Sequence, residues 1–79
     1  MDWIIFDAYD KSTWPPRWQE VVFWYNAWAA YNALFITWDT GAIGHNYDSG
    51  KFCFCTKRDI MIDFPAVYCW AAVDRPDWL

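Results

Sequence analysis

Seventy-nine residues make one domain at most, and a chain this short buries only roughly 60% of the surface its unfolded form exposes. Hydrophobic residues are 57% and aromatics 24%, with eight Trp, five Tyr and six Phe, which excludes a disordered acidic tail; three Gly and four Pro exclude a collagen-like chain or a flexible linker. Charged residues are 20% and the net charge is −4, so the chain is not expected to hold a nucleic-acid backbone, which needs a basic patch.

Residues 2–6 are β-branched and aromatic and predict a short strand. Asp2, Asp7 and Asp10 stand where a secretory leader would be basic, and Trp3–Phe6 is too short for its apolar stretch. A reducing cytoplasm is therefore the expected compartment. Residues 7–17 read as a loop, because Pro15 and Pro16 forbid regular ladder bonding.

Residues 20–38 admit two readings. As a helix, Val21, Trp24, Trp28, Tyr31, Phe35 and Trp38 fall at three- and four-residue spacing, and four alanines favour it. As strands, 21–25 and 34–38 are two dense blocks of β-propensity joined by 26–32. The hairpin is preferred, because β-branched and aromatic residues dominate both ends. Val21 to Trp38 carries no charge, yet it holds Asn26, Asn32 and Thr37. Its Trp24 and Trp28 also sit inside the stretch and not only at its ends, so no membrane span is expected.

Residues 39–50 are rich in turn-forming types: Asp39-Thr40-Gly41, Gly44, Asn46 and Asp48-Ser49-Gly50. Residues 51–56 alternate Phe52 and Phe54 against Cys53 and Cys55. Ile60 and Ile62 then alternate with Met61 and Asp63, and 67–73 form a last apolar strand. The fold class expected is mostly β: one domain over 1–79, built as a small, twisted antiparallel sheet of about four or five strands. The alternative is an α+β fold with a helix around 20–37. Several strands are apolar on both faces, so a second layer must cover one face: the chain's own loops, a second copy in a homodimer, or another protein.

No residue pattern supplies a reaction. His45 with Cys53, Cys55 and Cys69 has the composition of a Cys3His zinc site. The Cys-x-Cys spacing is tighter than the usual knuckle, however, and buried thiols behaving as small hydrophobes are the simpler reading. A Cys–His nucleophilic pair would need a base that Lys51 and Lys57 do not provide. Asp7/Asp10 and Asp59/Asp63 suit turns as well as acid–base work. Gly41-Ala42-Ile43-Gly44 lacks the lysine of a phosphate loop. No cofactor, no metal and no enzymatic activity are expected.

The two ends carry a resemblance. The chain opens Trp3-Ile4, Asp10, Pro15-Pro16 and Gln19-Glu20-Val21-Val22, and it closes Val67-Tyr68-Cys69-Trp70-Ala71-Ala72. This resembles domain-of-unknown-function family 551, common in phages and prophages, whose members open Trp-Ile and end in a His-Trp-x-Pro-x-Pro tail. Here Cys69 stands at the family's His and Ala72 at its first Pro. The resemblance implies a phage accessory protein with a compact β-rich fold, working in the bacterial host cytoplasm.

Nineteen aromatic side chains exceed what so small an interior holds, and surface Trp and Tyr mark partner sites. The function expected is a non-enzymatic host-takeover or counter-defence protein. It would bind and inhibit a host protein, such as a nucleic-acid-processing defence enzyme, through aromatics with an acidic surround. The anchors expected are Trp14, Trp18, Trp24, Trp28 and Tyr31. The alternative is a binder of a nucleotide-like ligand by aromatic stacking, with Asn26, Asn32, His45 and Arg58 as polar contacts.

Overall fold

The computed structural model describes residues 2–17 and 19–73. They form one antiparallel sheet of six strands: β1 (Ile4–Ile5), β2 (Val21–Asn26), β3 (Ile36–His45), β4 (Phe52–Thr56), β5 (Met61–Asp63) and β6 (Val67–Ala72). Their spatial order is β1-β6-β2-β3-β4-β5, so the last strand lies between the first two. The mostly β expectation holds, with one more strand than the upper figure.

Residues 21–38 are a hairpin, as preferred over the helix. The connection carries a single helical turn, α1 (Trp28–Tyr31). Asn26 Oδ1 accepts from the Trp28 N–H at 3.0 Å and starts the turn, and Asn32, with φ 52°, stops it in the left-handed region. Ala27 N–H then donates to the Phe35 carbonyl at 2.9 Å, which closes the connection onto β3.

The segment 39–45, read from sequence as turn-rich, is instead the second half of β3. Its glycines serve close approach, not a turn. A Cβ on Gly41 would lie 1.9 Å from the Cys55 carbonyl oxygen, and one on Gly44 would lie 2.8 Å from Cys55 Sγ. Gly41 is also where β3 changes partners: 36–41 pair with β2 and 41–45 pair with β4. Gly at such a point lets a strand bend and backbones approach closely.

Alternation along the strands sorts the side chains into two faces. Val21, Phe23 and Tyr25 on β2, Ile43 on β3, Phe54 on β4, Ile62 on β5 and Trp70 on β6 point to the inner face and are buried. That face is covered by the chain's own segments: the 7–17 loop, α1 and a 3-10 turn, Phe64–Ala66. Phe6, Phe54 and Phe64 meet edge-on or tilted at centroid distances of 4.8–5.3 Å, a favourable arrangement for ring quadrupoles. The loop is pinned by Trp70 Nε1–H, which donates to the Thr13 carbonyl at 2.6 Å, and by reciprocal bonds between Asp7 and Thr13.

The two tight turns follow from local side-chain bonds. In 46–51, Asn46 Oδ1 accepts from the Asp48 N–H at 2.9 Å, and Gly50 takes φ 71°. In 57–60, Thr56 Oγ1 accepts from the N–H groups of Arg58 and Ile60, and Asp59 takes φ 61°. These are the roles that Asn, Asp and Thr play in Asx- and ST-type turns.

Candidate interaction face

The outer face of the sheet carries the unusual feature. Alternation puts Val22 and Trp24 of β2 outward, and the register extends the row across four strands. Ile5 pairs with Cys69, Cys69 with Trp24, and Trp24 with Trp38. In an antiparallel pair, opposite residues share a face, so these four side chains form one line across β1, β6, β2 and β3. Ile36, two residues before Trp38, extends it towards the hairpin connection.

A groove of about 380 Å³ opens on this face, lined by Trp3, Val22, Trp24, Trp38, Thr40 and Val73. Thr40 supplies its one hydroxyl, and no charged side chain lines it. Glu20 and Lys57, next to the groove along the strands, are paired with each other. Trp3 is 43% exposed, Trp38 55%, Ile36 58% and Ile5 76%. Indoles gathered in one groove whose lining carries no charged side chain form the kind of patch that single scattered apolar residues do not. Beside them the Cys69 thiol is pushed up from its ordinary range by burial, an effect that its contact with the Trp24 backbone only partly opposes.

The expected anchors divide between different places. Trp24 is in the groove. Trp28 and Tyr31 are exposed on α1. The Tyr31 hydroxyl accepts from Arg58 Nη2 at 2.8 Å, and the same nitrogen donates to Asp39 Oδ2 at 2.8 Å, so Tyr31 belongs to a polar cluster. Trp14 lies on the inner side, half-buried, with ring centroids 4.8 Å from Phe64 and 5.2 Å from Phe52 and its Nε1–H donating to the Asp7 carbonyl. Trp14 and Trp24 are therefore on opposite sides of the sheet. Trp18 lies outside the described residues.

Trp3 and Trp38 line the groove with Trp24 and were not among the expected anchors. Their signal was present: Trp24 and Trp38 each sit at the outward parity of a strand, and Trp3 shares Ile5's parity. The polar residues named for a stacked ligand are elsewhere. His45 Nδ1 accepts from Arg17 Nη2 at 3.0 Å with its ring 4.2 Å from that of Phe52, Arg58 is tied to Asp39, and neither Asn26 nor Asn32 lines the groove.

Cys53, Cys55 and Cys69 are free thiols, and among the described residues no three of His, Cys, Asp and Glu come together as metal ligands. No helix among them is long and apolar enough to cross a membrane. No family model, curated protein or solved structure matches the chain.

Proposed function

We propose that this chain is a non-enzymatic binding protein that docks on a partner protein through its outer sheet face. The observation that carries the reading is the groove in which exposed Trp3 and Trp38 flank half-buried Trp24 on a face that the described chain leaves uncovered. Two physical arguments support a protein partner. Tryptophan is the commonest hot-spot residue, because it buries much area at little rotamer cost. A neutral groove also avoids the desolvation of unpaired charge that makes association costly. The acidic remainder of the chain, at net charge −4, adds steering towards a basic partner.

The resemblance of the chain's ends to a phage family supplies the setting for this reading. The protein is then a phage accessory product that inhibits a host protein in the bacterial cytoplasm by occupying a surface. Immobilised protein should capture the partner from host lysate, and Trp24→Ala and Trp38→Ala should release it while circular dichroism stays unchanged. Capture that is insensitive to both substitutions would refute the assignment of this face.

A small aromatic ligand is the second reading, favoured by the groove's volume, which falls among the roughly 300–1,000 Å³ of small-molecule sites. Calorimetric titration with nucleotides separates the two. Saturable heat that is lost in Trp24→Ala supports the ligand, and its absence leaves the protein partner.

A further inference from the structure

A second cluster on the outer face lies on β4 and β5, the two strands beyond the end of the aromatic row. Cys53 and Cys55 are two apart on β4 and point the same way, with their sulfurs 3.6 Å from each other. The register sets Met61 of β5 directly opposite Cys55 and Asp63 directly opposite Cys53, so all four share a face. On the other flank stands Gly44, where a Cβ would lie 2.8 Å from Cys55 Sγ. Glycine there keeps the space that the Cys55 sulfur occupies. Cys53 is buried, Cys55 half-buried and Met61 42% exposed, so the cluster has a dry end and an open end.

The geometry points to a binding site for one soft monovalent metal ion, of the Cu(I) class, held by the Cys53 and Cys55 sulfurs with the Met61 thioether as third donor. Two thiolates each about 2.3 Å from one ion stand about 4.0 Å apart at the trigonal angle of a three-donor site. The observed 3.6 Å therefore needs a shift of only a few tenths of an ångström. Two thiolates with a thioether are the donor set that selects Cu(I), whereas divalent zinc prefers four ligands. Binding releases two protons: Cu⁺ joins two thiols, the S–H bonds give their protons to solvent, and the product carries one negative charge. No electron moves. Asp63 adds a nearby negative charge that attracts the cation. Cys69, separated from β4 by β2 and β3, takes no part and serves as the control.

The test is anaerobic competition of the reduced, metal-free protein against the coloured Cu(I)–bicinchoninate complex. Wild type should withdraw one Cu(I) per chain, and Cys69→Ser should do the same. Cys55→Ser should lower the affinity more than the ~10–100-fold that outer-shell changes cost, and Met61→Leu should lower it within that range. Cys53→Ser belongs to the series if circular dichroism shows it folded; because Cys53 is buried, half-buried Cys55 keeps the test decisive. Three results would overturn the site: no withdrawal by wild type, equal loss in Cys69→Ser, or Zn(II) held as tightly as Cu(I).

Discussion

Trp24 and Trp38 are direct register partners on β2 and β3, pointing together out of a sheet whose other face is fully dressed by the chain's own loops. The same strand therefore serves two purposes. Val21, Phe23 and Tyr25 fill the core while Val22 and Trp24 stay available. Neither outer indole belongs to the core cluster, so binding and stability should separate at these positions, most cleanly at exposed Trp38.

Trp14 should behave in the opposite way. Its ring is wedged against Phe52 and Phe64, and its N–H is spent on the Asp7 carbonyl. Large-to-small changes at packed aromatics cost about 3–5 kcal/mol when fully buried. Half-buried Trp14→Ala should cost about 2 kcal/mol or more, read as a lower urea midpoint with the slope unchanged. A midpoint within error of wild type would show that the loop does not lean on this ring.

Gly41 should tolerate no side chain. Its Cβ would meet backbone, the Cys55 carbonyl at 1.9 Å, and neither strand can turn aside. Gly41→Ala should exceed the ~3 kcal/mol that ordinary overpacking reaches, and in a domain this small it should abolish the cooperative melt. Gly44→Ala meets only a sulfur that can rotate, so it should cost about 1–2 kcal/mol. Equal melting of the two variants would contradict the account of the β3 bend.

Alkali should weaken the fold through two groups that the folded chain keeps protonated. The Cys53 thiol is pushed up from 9.0 to about 12, by burial first and then by its bond to Cys55 and the charge of Asp63. Tyr25 is raised as well, by burial first and then by Tyr31. Both groups are neutral when protonated, and the folded chain holds their protons more tightly than the unfolded chain does. Their contribution is therefore complete below about pH 9 and drains away as pH rises towards about 12. Urea midpoints taken across that window should fall, and they should fall less steeply in Cys53→Ala. A flat profile would mean that these groups are not held neutral by burial.

Much of the fold was legible, and the physical reason is alternation. Phe52/Phe54 against Cys53/Cys55, and Ile60/Ile62 against Met61/Asp63, kept their faces in the structure. So did the dense block at 21–25. The 39–45 stretch was not legible, because Gly41 and Gly44 look the same whether they permit a turn or the close passage of a neighbouring strand. The site was half legible. An aromatic surplus implies exposed rings, and Trp24 was named. Which other rings join it depends on β6 lying between β1 and β2, a long-range pairing that no local pattern encodes. That pairing brings Ile5 and Trp3 towards Trp24, while Trp14 is drawn to the far side by Phe52 and Phe64.

The claim that the outer face binds a protein partner is tested most directly by one comparison: partner capture by wild type, by the Trp24→Ala/Trp38→Ala double variant and by Trp28→Ala, each at matched helical and sheet signal in circular dichroism. The account predicts capture by wild type and its loss in the double variant, by a factor reflecting ~2 kcal/mol or more for each indole that is a hot spot. Trp28→Ala, on α1 outside the groove, should retain most of it. Full capture by a folded double variant, with loss in Trp28→Ala, would contradict the account and move the interface from the sheet face to the α1 connection.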